Sequence, residues 1–310
     1  MKMKQFQLKW EVKTEHNGLL LREFLHLMEL SKRALTDIKF QGGKILVNDE
    51  EKTVRTIVKE HDIVTIFFPI EKPSEELIPQ AVPFEIVYED EAILVVNKPF
   101  GISSIPSREH QNGTLANGIL HYYKQIGLQS TIHIVTRLDK DTSGLMLIAK
   151  NRYVHYLFSK NELKDVNRKY KAIVHGEMKE STGIINARIA RKRDSIIERE
   201  VSEEGQEAIT YFKVVETFKD FSIVELQLET GRTHQIRVHM SSINHPLIGD
   251  DLYGGSTVTL KRQALHSYYL SFIHPINKDE MSFEIVLPED LIDWLDQQKQ
   301  ENETIIDCQQ

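Results

Sequence analysis

The side chains able to do chemistry gather in three stretches of the chain. VTRLDKDTSGLMLIAK, residues 135–150, sets a charged, turn-forming segment holding Arg137 and Asp139 directly before an apolar strand. A carboxylate so placed can attack as a nucleophile or face developing positive charge. DKDTSG is also good turn composition, so the same residue reads equally as a turn or cap. RKYKAIVHG, residues 168–176, leads with basic residues into a strand, where Tyr170 is either a core ring or a phenol offered to a substrate. LETGRTHQIRVHMSSINHPLIGDDLYGG, residues 228–255, carries Arg232, His234, Arg237, His239 and His245. Its histidines suggest a metal, but no cysteine or suitably spaced carboxylate completes a ligand set, and HExxH is absent. The single cysteine, Cys308, lies in a polar tail, which argues against a disulfide framework, a thiolate zinc site and a core cysteine nucleophile. No loop of the form GxGxxG offers to cradle a nucleotide.

Two sets of elements must position these groups. Leu21, Phe24, Leu25 and Met28 recur at the spacing of one helical face, and Ser31 can cap a second helix through Lys32, Arg33, Leu35 and Ile38 that stops before Gly42-Gly43. KILVN, an Asn48-Asp49 turn and the apolar run IVTIFF after Asp62 then predict a hairpin, giving a small α+β unit over residues 1–70. Residues 71–83, EKPSEELIPQAVP, lack periodicity and hold three prolines, as a linker should. From 84 to 288, AILVVN, LMLIAK, YKAIVHG, AITYFKVVE, SIVELQLET and FEIVL read as strands. The helices LANGILHYYKQI, Arg152 to Leu163 and one N-capped near Thr233, with Ile236, Met240 and Ile243 as its stripe and Pro246 at its end, fall irregularly among them. This is the pattern of a mixed, largely antiparallel α+β domain rather than a βαβ alternation. Residues 289–310 read as an acidic polar tail, disordered beyond Leu295.

The net charge of −7 is unevenly spread: residues 71–91 and 289–310 each set seven acids against one lysine, so the remaining body carries +5. A modestly basic body suits an enzyme that touches phosphates and must release them.

The stretch at 135–150 resembles the signature of the RluA family of RNA pseudouridine synthases, RKYKAIVHG its K-Y-x-A-x-V-x-G block, residues 228–255 its arginine motif, and LVVNKPFGISSIP at 94–106 its N-K-P-x-G element. All four stand in the family's order. The resemblance makes Asp139 the catalytic aspartate, Tyr170 the active-site tyrosine, Arg237 the partner of the aspartate, and Arg137 the side chain that fills the space of a flipped base. The family usually has His where this chain has Thr136, a departure that touches substrate choice more than chemistry. The elements LREFL, SKRAL, GGKILVN and HDIVTIFF resemble an S4 RNA-binding domain, which implies that Lys32, Arg33 and Lys39 meet RNA phosphates. Arg232 and His234 join Arg137 as expected RNA contacts. The basic stretch Arg188–Arg199 is either a loop gripping the RNA backbone or a solvated surface hairpin.

The implied reaction breaks the uridine N1–C1′ bond, turns the uracil and rejoins it through C5, which calls for no cofactor or metal. The base must leave its stack first, at roughly a few kcal/mol. Whether the aspartate attacks C1′, adds to the ring or assists elimination stays open, as does whether the tyrosine stacks or moves a proton. The expected partner is structured RNA, ribosomal before transfer RNA, with no membrane, no obligate protein partner, a monomeric enzyme and, from the absence of a signal peptide or apolar span, a cytoplasmic setting. A catalytically silent RNA-binding or ribosome-assembly factor on the same fold is the rival. A zinc deaminase is set aside because its cysteine ligands are missing.

Overall fold

A computed structural model describes residues 5–107, 111–160 and 163–307; Cys308 lies outside them. In the N-terminal part, β1 (Gln7–Glu11), α1 (Leu21–Leu27), α2 (Lys32–Phe40), β2 (Lys44–Val47), β3 (Glu50–Glu51) and β4 (Ile63–Phe67) build an antiparallel sheet in the order β1-β4-β2-β3. Leu21, Phe24 and Leu25 are buried as their spacing requires, and Ser31 Oγ caps α2 by accepting the Ala34 N–H at 3.1 Å. Asn48 and Asp49 both take positive φ, the geometry of a two-residue hairpin turn. Strand β1 was not foreseen: its polar, basic sequence hides an alternation in which Leu8 faces the core and the strand pairs with β4.

The rest of the chain forms β5 (Glu85–Glu89), β6 (Ile93–Lys98), α3 (Leu115–Ile126), β7 (His133–Ile134), β8 (Ser143–Ala149), α4 (Arg152–Ser159), β9 (Val166–His175), β10 (Thr182–Asn186), β11 (Ile189–Arg191), β12 (Arg199–Val201), β13 (Ile209–Thr217), β14 (Phe221–Leu228), α5 (Gln235–Ser242), β15 (Leu265–Ile273), β16 (Glu280–Glu284) and α6 (Glu289–Asp307). Ten strands share one sheet of order β10-β13-β14-β9-β15-β8-β6-β5, with β16 on β15 and β7 on β8. Every pairing is antiparallel except β8 with β15, which touch through His266↔Ser143 and Ser267↔Gly144. The expected mixed, largely antiparallel α+β architecture is therefore the observed one. One core lies between the sheet and helices α3 and α5, with Leu115, Ile119 and Tyr123 meeting Leu94, Val96 and Ile148, and Ile236 and Met240 meeting Leu226 and Leu247.

Several expectations need correction. Strand β15, the sheet's central member, escaped notice because its LHSYYLSFI sequence does not alternate; it is buried along most of its length, so polar His266 and Ser267 lie inside. The run FEIVL lies mostly past the end of β16. Helix α4 stops at Ser159. Residues 289–307 do not form a disordered tail: α6 runs to Asp307, and Leu291, Trp294 and Leu295 pack on Phe221 and Ile223. Three apolar residues at helical spacing suffice to dock it once the sheet offers a greasy face.

Residues 71–83 contain no helix or strand but are pinned along their length. Glu71 accepts the Arg152 N–H at 2.7 Å and meets His133 Nε2 at 2.5 Å, while Asn117 Nδ2 donates to Ile78 O at 2.8 Å. Tyr153 and Leu157 of α4 enter the apolar core of the N-terminal sheet, where Tyr153 stacks on Phe68 with centroids 4.9 Å apart.

Candidate active site

The loop carrying Asp139 is held from below by buried polar groups. Lys98, at the end of β6, is fully buried and its Nζ donates to Pro99 O, Ile102 O and Lys140 O at 2.9, 2.8 and 3.0 Å. Burial pushes its pKa down to about 7, against the pull of Asp139 and Asp141. Ser104 Oγ donates to Leu138 O at 2.6 Å. Thus the N-K-P-x-G segment clamps the backbone on both sides of Asp139. After the loop, Thr142 N–H closes a turn on Asp139 O at 3.2 Å, and Gly144 enters β8 at φ +116°, where a Cβ would stand 2.2 Å from Ser267 O. Only glycine permits β8 and β15 to approach there.

Above this junction lies a cavity of about 500 Å³ lined by Arg137, Asp139, Arg168, Tyr170, His234 and Arg237 among others. Asp139 is partly exposed to it, and its Oδ2 lies 3.4 Å from Arg237 Nη1 and 3.9 Å from His234 Nε2. The planar fork of Arg237, the residue expected to partner Asp139, is engaged by another carboxylate: Nε and Nη2 each donate at 2.7 Å to the two oxygens of Asp250. Burial opposes the charge on Arg237, but the hydrogen bonds and charge of Asp250 outweigh it and raise the guanidinium's pKa. The Tyr253 ring lies under the same guanidinium, 4.9 Å from its centroid. Arg237 is thereby fixed, and its remaining nitrogen is turned toward Asp139.

Tyr170 sits on β9 opposite Ser267, buried at the cavity floor, and burial raises its phenol pKa so that the hydroxyl keeps its proton. Arg168, two residues earlier, also lines the cavity, and its buried Nε has no hydrogen-bond partner among the described residues. Arg137 stands exposed at the mouth. With Arg191, Arg199 and Arg232 it borders a second groove of about 490 Å³ beside the β11–β12 hairpin, which the Arg188–Arg199 segment forms. Arg232 anchors through Nε on Glu207 O at 2.9 Å. Thr136 is buried, with Oγ1 accepting the Leu147 N–H at 2.9 Å.

His234, rather than Thr233, is the N-cap of α5, in a left-handed conformation with φ 57° and no side-chain cap. The three histidines have separate partners: His234 Nδ1 meets Tyr253 Oη, His239 sits between Thr210 Oγ1 and Ala187 O, and His245 meets His175 O. Lys32 and Arg33 are exposed at the start of α2 and do not line this cavity; Arg33 borders a cleft between α2 and α4 instead. Asp250, Tyr253, Lys98 and Arg168 are the site residues that sequence reasoning passed over. Asp250 and Tyr253 lie within the arginine motif, but no spacing rule joins position 250 to 237.

Comparison with known proteins gives the family of the chain. The RNA pseudouridylate synthase family matches residues 92–242, which include Asp139, Tyr170 and Arg237. An uncharacterized RNA pseudouridine synthase, YjbO of Bacillus subtilis (strain 168), is 51% identical over 276 residues, covering 88% of this chain and 97% of the relative. Ribosomal large subunit pseudouridine synthase D of Yersinia pestis is 38% identical over 285 residues, covering 86% of this chain and 84% of the relative. The fold matches that of human RNA pseudouridylate synthase domain containing 1, with a TM-score of 0.56 at 24% identity over 75% of this chain and 97% of that one. A carboxylate beside a locked arginine, on this fold and in this sequence company, leads to one assignment: the chain belongs to the RluA family of RNA pseudouridine synthases, isomerases that act on RNA.

Proposed function

We propose that this enzyme isomerises a uridine of large-subunit ribosomal RNA, with Asp139 as the catalytic carboxylate. The observation that carries the reading is Asp139 Oδ2 at 3.4 Å from Arg237 Nη1 inside the cavity, while Asp250 immobilises the rest of the guanidinium. A carboxylate attacks, or stabilises a cationic ribose, only when ionised, and a guanidinium that stays protonated favours that state. Tyr170 at the floor offers a flat face to the uracil and a phenol near the reacting sugar. Arg137 at the mouth takes the place of the extruded base and offsets part of the unstacking cost. The groove bordered by Arg191, Arg199 and Arg232 receives backbone phosphates.

The N-terminal unit serves as an S4-like RNA-binding module through Lys32, Arg33 and Lys39, which accords with their exposure on α2. Among the described residues no helix is long and apolar enough to cross a membrane, and the enzyme works as a cytoplasmic monomer. The ribosomal target rests on the relative of that name from Yersinia pestis. Tritium release from 5-tritiated uridine, in ribosomal RNA from a strain lacking this gene, tests the proposal. Wild type should release tritium and Asp139→Ala should not. Release from transfer RNA alone would overturn the ribosomal target, and no release from either, with RNA binding intact, would favour the silent assembly factor.

A further inference from the structure

Behind Asp139 a half-buried polar chain leads back to the basic hairpin. The backbone N–H of Arg199 in β12 donates to Tyr253 Oη at 2.9 Å, and that oxygen lies 2.8 Å from Nδ1 of His234. A phenol has one hydrogen and accepts through its lone pairs. Since Tyr253 Oη accepts from Arg199, its own hydrogen is available to His234, whose Nδ1 must then be bare. The opposite arrangement, Nδ1–H donating to Tyr253, would leave a half-buried phenol hydrogen without an acceptor among the described residues. A neutral imidazole with Nδ1 bare carries its hydrogen on Nε2, the nitrogen 3.9 Å from Asp139 Oδ2. Burial lowers the His234 pKa, in keeping with a neutral ring.

The backbone supports the same reading. His234 holds φ at 57°, a region uncommon for non-glycine residues. That conformation starts α5, which three residues later delivers Arg237 to the same carboxylate oxygen. Arg237 Nη1 donates to Asp139 Oδ2 at 3.4 Å and His234 Nε2 stands 3.9 Å from the same oxygen, just beyond hydrogen-bond distance, while among the described residues no hydrogen bond reaches Oδ1.

We infer that His234 is a positioning residue for the isomerisation. Tyr253 locks its tautomer so that Nε2–H closes on Asp139 Oδ2 together with Arg237, leaving Oδ1 as the oxygen that faces the target nucleotide. The inference rests on Asp139 being the catalytic carboxylate. It also gives the hairpin beside the groove of Arg191, Arg199 and Arg232 a short noncovalent route to Asp139, through one backbone N–H and two side chains.

The experiment pairs spectroscopy with single-turnover kinetics on the full chain. In protein labelled with 15N-histidine, His234 of wild type should show a bare Nδ1 and a protonated Nε2, and Tyr253→Phe, which keeps the ring under Arg237, should release a mixture of tautomers. With enzyme in excess over 5-tritiated total RNA from a strain lacking the gene, Tyr253→Phe and His234→Asn should slow tritium release about 10- to 100-fold, with filter-bound RNA unchanged. His234→Gln, whose amide can present N–H near the Nε2 position, should restore most of the rate. A protonated Nδ1 in wild type, or equal rates for the Asn and Gln variants, overturns the inference. If wild type releases no tritium, the catalytic reading itself fails, while the tautomer measurement still decides whether the lock exists.

Discussion

Replacing Asp250 by Asn isolates the anchor of Arg237. The side chain of Asp250 is 0% exposed and that of Arg237 8%, and two hydrogen bonds of 2.7 Å join them. Asn keeps the shape and one acceptor but removes the charge, leaving a buried guanidinium half satisfied. Breaking a buried pair from one side costs about 3–5 kcal/mol, and the retained acceptor places this variant near the lower end, about 3 kcal/mol. At about 2–4 °C per kcal/mol for a domain of this size, Tm should fall by roughly 6–12 °C. Freed from Asp250, the guanidinium should turn its fork onto Asp139, so single-turnover tritium release should fall at temperatures where the variant is fully folded, with RNA binding retained. Because the pair is shielded from solvent, the stability difference should be the same at low and high salt. Calorimetry across a salt series checks this. A loss below about 1 kcal/mol, or one erased by salt, would mean that the pair behaves as a surface contact and does not fix Arg237.

Other perturbations address the frame around the site. Gly144→Ala would drive a methyl group to 2.2 Å from Ser267 O at a φ of +116°, so soluble folded protein should be largely lost; Gly231→Ala, whose nearest obstacle is the flexible end of Arg168 at 2.8 Å, should still fold, as circular dichroism would show. Trp294→Ala should cost about 3–5 kcal/mol in urea unfolding, since its ring meets Phe221 edge-on at 5.2 Å and its Nε1 donates to Thr259 Oγ1 at 3.0 Å; no loss would mean that α6 is not docked. His266 is 1% exposed, and burial together with the Arg262 charge lowers its pKa to about 4. The unfolded chain therefore binds a proton that the folded one refuses, so the stability due to this ring is full above about pH 6.5 and is lost toward pH 4, by at most about 1.4 kcal/mol per pH unit. His266→Asn, which can still meet Ser143 Oγ, should flatten the acid limb of urea unfolding between pH 7 and 4.5, and parallel limbs for the two proteins would refute the assignment.

Much of the lining of the Asp139 cavity was legible in the sequence because its signals are local. Turn residues before an apolar run placed Asp139 at the mouth of β8, and the period-two pattern of residues 170–176 put Tyr170 on a strand. The helix LANGILHYYKQI coincides with α3, where Thr114 caps the start and Gly127 ends it at positive φ. What stayed hidden depends on contacts distant in the chain. Asp250 matters because the turns at Asn244 and Gly249, both at positive φ, bring it back onto Arg237 of α5, and β15 is central because its neighbours bury both its faces, which a non-alternating sequence does not announce. Thr233 has the chemistry of an N-cap, yet the helix begins one residue later, since His234 is drawn into the left-handed region where its ring reaches Tyr253. The arginine fork is a similar case: the resemblance paired Arg237 with Asp139, and the fold shows a second carboxylate, Asp250, holding the fork.

Tyr153 and Leu157 contribute to the hydrophobic core beneath the N-terminal sheet, and Lys160 reaches back to Glu29 at 2.5 Å. A module mounted through shared side chains, rather than hung on a tether, has one angle and one reach. If α2 grips RNA, as proposed, the span from that grip to the Asp139 cavity is built into the protein, and the enzyme measures its substrate as calipers do. A uridine would then be chosen by its distance and direction from a docking feature elsewhere on the folded RNA, so that inserting a base pair between the two should abolish modification while leaving both local sequences intact.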